Sequence, residues 1–327
     1  MVGCMDKTLL VTETGPELVE TRDDFAGGGN TLIEVTHSSV NYKDAMALGG
    51  IKGILREPNI VPGIDAVGTV VESPTLAPGT LVTVNGWGIG ERRHGGYTPR
   101  LRIDASKVTR VPERFDAHTA AALGTAGYTA ALSVAGFERA SGVSAAELDG
   151  PVLVTGATGG VGSVAVSLLA ARGYEVHAMT GRVDTHGDYL EGLGAKEIVD
   201  RGEYAEAGKP LQKSRYAGAI DTVGSTVLAN LLSQLTWGGV ATACGMAAGN
   251  DLPASVLPFI LRGVHLVGIN SVDAPNGLRV QAWDLLAQAV DVEQLLSYTS
   301  TVDLDGAIEV GEKLLAGEHQ GRTVVTL

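Results

Sequence analysis

What this sequence has little of narrows its possibilities first. It holds two cysteines, Cys4 and Cys244, with no C-x-x-C pair. That excludes a disulfide scaffold or a cysteine-ligated metal lobe. The seven histidines show no H-x-x-x-H or other ligand spacing, so no metal site is expected. No apolar run reaches the roughly 18 residues of a membrane helix, and the start, MVGCMDKTLLV, is too weakly apolar after Lys7 for a secretory signal. Basic residues are scarce. The 24 Lys and Arg face 37 Asp and Glu, a net charge of −13. That balance disfavours a nucleic-acid binder and obliges any anionic ligand to find a local basic patch. Repeats and low-complexity tracts are also missing. The expectation is a cytoplasmic protein with no nucleic-acid or membrane partner.

What is present centres on Pro151–Gly162, PVLVTGATGGVG. Val152–Thr155 reads as a buried strand, Gly156–Gly162 as a glycine turn, and Ser163–Ala171 as the helix that follows. This order presents backbone N–H groups and a helix N-terminus to a pyrophosphate. Thr158, Gly159, Gly160, Val161 and Gly162 are therefore candidate cofactor residues. Gly159 stands where phosphate and backbone approach closely, and Gly162 where helix and strand pack.

Before this turn the chain reads as short strands: Leu9–Val11, Leu18–Glu20, Thr31–Ser38, a strand after Pro62-Gly63, and Leu81–Val84. A short helix opens at Asn41-Tyr42 and runs to about Leu48. Trp87–Gly96, with Glu91, Arg92, Arg93 and His94, reads as a flexible loop. Ala117–Val134 reads as one helix, and from there strands and helices alternate to His265–Ile269. The change of pattern predicts an α/β protein: a β-rich domain and a doubly wound parallel-sheet domain.

The end of the second cofactor-domain strand selects the nicotinamide cofactor. In NAD-binding units an acid about 20 residues beyond the fingerprint holds the ribose hydroxyls. Here the strand tip is Met179-Thr180-Gly181-Arg182, with no carboxylate. A hydroxyl and a guanidinium suit a 2′-phosphate, so Thr180, Gly181 and Arg182 point to NADP(H).

Longer blocks carry a resemblance. They are VNYKDAMALGG from Val40, VPGIDAVGTV from Val61, NGWGIGERRHGGY from Asn85 and GTAGYTAAL from Gly124. VTGATGGVGSVAV from Val154, AIDTVG from Ala219, PFILRGVHLVGINSV from Pro258 and QGRTVV from Gln320 continue the series. Together they resemble the zinc-independent medium-chain dehydrogenase/reductase superfamily, and within it the acrylyl-CoA reductase family. The resemblance implies a GroES-like catalytic domain, 1–123 and 271–327, interrupted by a Rossmann NADP-binding domain, 124–270.

In zinc-dependent relatives an early Cys and a Gly-His-Glu hold the metal. Here those places read Asn41–Asp44 and Gly63-Ile64-Asp65, and Asp65 is expected to be a buried structural carboxylate. Without a Lewis acid, reduction of an already activated C=C is the natural chemistry. The resemblance implies NADPH-dependent reduction of a short α,β-unsaturated acyl-CoA, acryloyl-CoA first. It places the nicotinamide against Asn41 and Tyr42, Val223 and Gly224, and Ile269, Asn270 and Ser271.

Tyr42 either donates a proton or packs on the cofactor; no tyrosine follows within Ala45–Arg56, which leaves water as the other proton source. Asp44 either orients this loop or forms a solvated charge pair with Lys43. Arg92 and Arg93 either meet CoA phosphates or are simply solvated. A quinone or enone reductase and a non-catalytic NADP(H)-binding protein are the rival readings. The apolar edge strand His265–Ile269 predicts a two-fold homodimer, and the resemblance agrees.

Overall fold

The computed structural model describes residues 6–327; Cys4 lies outside them. The chain forms two units. The first holds 6–126, Ser271–Ala287 and Val292–Leu327; the second holds Gly127–Asn270 and Gln288–Asp291.

The second unit is built on six parallel strands: Val152–Val154, Val176–Thr180, Glu197–Asp200, Tyr216–Asp221, Leu235–Ala243 and His265–Gly268. Numbered in chain order, they lie across the sheet as third, second, first, fourth, fifth, sixth, the doubly wound dinucleotide-binding order. The strands at the centre read VLV, VHAMT and YAGAID and are buried at every position, as strands covered on both faces must be. Leu228, Leu231 and Leu232 of the helix Ser225–Ser233 pack with Leu153, Met179 and Ala219 in the core on one side. His265–Gly268 occupies a sheet edge. The helix before it, Leu257–Arg262, has no strong sequence signal because Ile260 and Leu261 are exposed rather than buried.

The first unit carries a sheet running Thr299–Val302, Arg322–Thr326, Thr31–Ser39, Asp65–Glu72, Leu81–Asn85, Thr109–Arg110, with Arg100–Ile103 also on Thr31–Ser39. The closing strand is antiparallel to Thr31–Ser39, with Val324 opposite Ser39. This pairing brings Arg322 beside the start of the early helix Tyr42–Leu48, where it bonds Asn41. One apolar cluster gathers Leu9, Val40, Leu48, Val61 and Val325; another gathers Ile33, Val35, Ala66, Val70 and Val84.

The helix Ala117–Ser141 corrects the single-helix reading. Gly124 has φ 47° and ψ −153°, so two helical segments meet there at a kink. The helix is long and apolar enough to span a bilayer by length and composition, but 89% of its apolar stretch is buried in the fold. Its apolarity serves packing.

Candidate active site

The first unit holds a buried carboxylate at the centre of a polar cage. Asp65 begins a strand directly after the Gly63 turn (φ 95°) and has no exposed surface. Its Oδ2 accepts from Ser39 Oγ at 2.5 Å, Asn41 Nδ2 at 2.8 Å and Thr125 N at 2.9 Å. Its Oδ1 accepts from Asn85 Nδ2 at 2.6 Å, Thr125 Oγ1 at 2.6 Å and Thr125 N at 2.9 Å. The kink at Gly124 makes this possible, because it starts a new helical segment whose first N–H groups need an acceptor. A Cβ at Gly124 would stand 2.5 Å from Asp65 Oδ2 and 2.8 Å from Ser39 Oγ. Only glycine fits there.

Arg322, also buried, completes the cage. Its Nε donates to Ala122 O at 2.6 Å and its Nη1 to Asn41 Oδ1 at 3.3 Å. The Asn41 amide thus joins the guanidinium to the Asp65 carboxylate and fixes the residue that opens the Tyr42 helix. Tyr42 itself is 46% exposed, a phenol held at the surface by a buried neighbour.

Asp44 is not part of a solvated pair with Lys43. It is buried, with Oδ2 accepting from Asn41 N at 2.9 Å and Oδ1 from Ile64 N at 2.9 Å. It therefore ties the helix start to the turn that carries Asp65. Burial, then the nearby Asp65 charge, push its pKa up to about 7 against the opposing pull of these N–H donors. Lys43 instead pairs with Glu91 at 2.9 Å. That bond, with Gly95 N to Val61 O and Gly96 N to Gly63 O, both 2.8 Å, fastens the Trp87–Gly96 segment, which the sequence alone presents as a flexible loop. Within it Arg92 faces Asp273 at 3.6 Å, and Arg93 is exposed.

In the second unit the glycine turn leads from Val152–Val154 into the helix Gly160–Ala171, with Gly159 at its N-cap. Gly162 packs so closely on the turn that a Cβ would meet Ala157 Cα at 2.7 Å. The neighbouring loop is shaped by Asp221, whose Oδ1 accepts from Thr155 Oγ1 at 2.8 Å and Oδ2 from Gly224 N at 2.9 Å. This sets Val223 and Gly224 beside the turn: Gly156 sits against Val223 and Thr222. Ile269 follows the edge strand and is held by its N–H to Ala243 O at 2.9 Å. Asn270 ends the unit and Ser271 begins the chain's return to the first.

At the tip of Val176–Thr180, Arg182 Nη2 donates to Thr158 Oγ1 at 2.9 Å, while Thr180 Oγ1 accepts from Arg182 N at 3.1 Å. Sequence reading missed a second cation here. Thr180 lies in register with Asp200, so Arg201 emerges at the same sheet edge, close enough that a Cβ on Gly181 would stand 2.8 Å from its Nη2. Burial and the Arg201 charge both pull the Arg182 pKa down. Two cations set together are a basic patch in an acidic chain, and a dianionic group would relieve their repulsion.

The family model described as alcohol dehydrogenase GroES-like domain matches residues 27–113, and that described as zinc-binding dehydrogenase matches 160–288. AcuI of Escherichia coli K12, provisionally named an acrylyl-CoA reductase, is 42% identical over 98% of this chain and 99% of its own. AcuI of Ruegeria pomeroyi, named an acrylyl-CoA reductase outright, is 43% identical over 91% of this chain and 90% of its own. The chain belongs to the acrylyl-CoA reductase family of medium-chain dehydrogenases/reductases.

Other members and neighbours widen the picture. YhfP of Bacillus subtilis, provisionally named a quinone oxidoreductase, is 41% identical over 90% of both chains. The yhdH oxidoreductase of Salmonella enterica, solved with NADP, superposes with a TM-score of 0.94 at 39% identity, covering 99% of this chain and 100% of its own. B. subtilis yhfP, solved with NAD, superposes at 0.92 and 37% identity, covering 99% of both.

Zinc is implied by the second family model's description, and the residues of this family member do not fit it. Both Asp65 oxygens are taken up by hydrogen-bond donors and a guanidinium lies beside them. A divalent cation needs those lone pairs. Among the described residues no group of three or more His, Cys, Asp or Glu side chains converges elsewhere.

The raised Asp44 pKa has a stability consequence with a definite sign. A carboxyl that binds its proton more tightly folded than unfolded contributes stability below its usual 3.8, and loses it as pH rises through about 7. Asp65, Arg322 and Tyr97 are the ionisable groups coupled to it. Denaturant titrations of wild type and Asp44→Asn between about pH 5 and 8 should therefore show the wild-type advantage shrinking with rising pH, by up to about 1.4 kcal/mol per unit. A constant difference would mean that Asp44 stays ionised throughout.

Proposed function

We propose that this protein is an NADPH-dependent reductase of the C=C bond of short α,β-unsaturated acyl-CoA thioesters, acryloyl-CoA to propanoyl-CoA first. The observation that carries the reading is the Asp65 cage: the position of a metal ligand in zinc-dependent relatives is filled by donors. A substrate carbonyl then gains no metal polarisation, and hydride goes to a carbon already made electrophilic by conjugation with the thioester. NADPH supplies the hydride. The β-carbon accepts it, the C=C electron pair moves to the thioester as an enolate, and a proton from Tyr42 or from water closes Cα. The family names of the two AcuI proteins support the substrate; the tilt towards quinones comes from YhfP.

The residues take the following roles in this proposal. Asn41 and Asp44 position Tyr42. Thr158 and Gly159–Gly162 take the pyrophosphate at the helix N-terminus, and Val223, Gly224, Ile269, Asn270 and Ser271 take the nicotinamide. Thr180, Gly181, Arg182 and the newly found Arg201 take the 2′-phosphate. Arg92 and Arg93 are assigned to CoA phosphates; Arg93 lines a groove of about 240 Å³ with Pro58, Asn59 and His94. We further propose a cytoplasmic homodimer joined through the edge strand His265–Gly268 and the exposed Ile260 and Leu261 beside it.

Three measurements test this. Oxidation of NADPH should be fastest with acryloyl-CoA, slower with crotonyl-CoA and slowest with a simple quinone, and unchanged by exhaustive chelation. A quinone ranking first transfers the chain to the second reading, while loss on chelation with recovery in zinc overturns the mechanism. Arg182→Ala and Arg201→Ala should each lower the preference for NADPH over NADH by about tenfold to a hundredfold, the weight of one charged hydrogen bond. If the KM values for both cofactors rise together, the arginine is holding the fold. Sedimentation at micromolar concentration should give twice the chain mass, and Ile260→Asp should move it towards the monomer; a monomeric wild type removes the dimer.

A further inference from the structure

Arg279 is a fully enclosed cation that the proposed reaction does not use. It lies on the helix Asn276–Ala289, with 2% of its surface exposed. Its guanidinium gathers four backbone carbonyls: Nε donates to Ala274 O at 2.9 Å, Nη1 to Asn85 O at 2.6 Å, and Nη2 to Val272 O at 2.8 Å and Ser271 O at 3.2 Å. Its Cζ lies over the Trp87 ring, 4.1 Å from the centroid. Four carbonyl dipoles aimed at one place repel one another unless a donor sits among them, and a planar fork with fixed donors suits that place better than a lysine's point charge.

What it gathers is specific. The Ser271–Ala274 segment meets Gly86-Trp87 backbone to backbone: Trp87 N donates to Val272 O at 3.0 Å, and a Cβ on Gly86 would stand 2.7 Å from that oxygen. Both Gly86 (φ 75°) and Trp87 (φ 58°) are left-handed. That conformation is costly for a tryptophan and persists only where surroundings over-determine it. The guanidinium over its ring and the shared Val272 carbonyl are those surroundings. Ser271 stands at the head of the segment, directly after Asn270.

We propose that Arg279 is a positioning residue for the nicotinamide end of the cofactor, acting by fixing the Ser271–Ala274 backbone against Gly86 and Trp87. The inference rests on the assignment of Asn270 and Ser271 to the nicotinamide, and goes beyond it by naming what sets their position. A merely structural arginine would affect every part of the cofactor alike. A positioning one affects only the nicotinamide.

The test uses two ligands on the full chain: NADPH, whose emission reports the surroundings of the reduced ring, and 2′-phospho-ADP-ribose, which lacks the nicotinamide. For Arg279→Lys, the NADPH Kd should rise about tenfold, with bound emission moving towards that of free NADPH, while the 2′-phospho-ADP-ribose Kd stays within about twofold. Parallel weakening of both ligands, or of neither, overturns the proposal. Should Arg279→Lys not fold, Trp87→Leu, which keeps the fork and removes the ring beneath it, is held to the same outcome. Ser271→Leu separates the two levels. If it weakens NADPH alone and Arg279→Lys does not, the positioning role fails; if neither variant distinguishes the ligands, the nicotinamide assignment fails and the inference with it.

Discussion

The Asp65 carboxylate and the donors closed around it are the constraint on which the first unit depends. An ionised carboxyl removed from water is costly unless its lone pairs are filled, and here six hydrogen bonds from Ser39, Asn41, Asn85 and Thr125 fill them. Those donors come from three separate stretches of chain, 39–41, Asn85 and Thr125, and Arg322 brings a fourth into the cage through Asn41. Their common need for Asp65 fixes the Gly124 kink, the start of the Tyr42 helix and the end of the strand Leu81–Asn85 together. Charge-assisted bonds of this kind each weigh about 1.5–3 kcal/mol. Losing the acceptor would leave buried donors and the Arg322 cation uncompensated.

Asn85 carries this order onward. Its side chain serves Asp65, and its carbonyl accepts from Arg279. One residue thus links the cage that presents Asn41 and Tyr42 to the cluster that fixes Ser271 and Trp87. The second unit solves a different problem with shorter-range means. Its glycine turn needs close backbone approach at Gly162, and its adjoining loop needs Asp221 to hold Gly224. In the proposed function the two schemes serve two tasks: holding side chains for chemistry, and offering backbone N–H groups to phosphates.

Local features of the sequence were legible. The strand–glycine–helix order, the buried apolar strands and the acid-free tip at Thr180-Gly181-Arg182 depend on neighbours along the chain, and periodicity reports such neighbours. The family blocks added the GroES-like fold. Features created through space were not legible. Gly124 lies in an uninterrupted apolar helix pattern, and only the arrival of Asp65 makes a kink there favourable. Asp44 follows Lys43 and looks solvated until Ile64 N is brought onto it. Arg201 stands far along the chain from Arg182, and the parallel register of Thr180 with Asp200 brings them to one edge. Arg279 occupies an ordinary helical position; its task is visible only once four carbonyls converge on it.

In the proposed reaction this fold delivers hydride to an alkene carbon conjugated with a thioester, and leaves the second hydrogen to solvent-exchangeable groups. Isotope placement tests it most directly. Acryloyl-CoA reduced with NADPH carrying deuterium at both C4 positions, in ordinary water, should give propanoyl-CoA with a single deuterium at C3; reduction with unlabelled NADPH in deuterium oxide should place the label at C2. Cofactor deuterium at C2, or its absence from the product, would contradict the account.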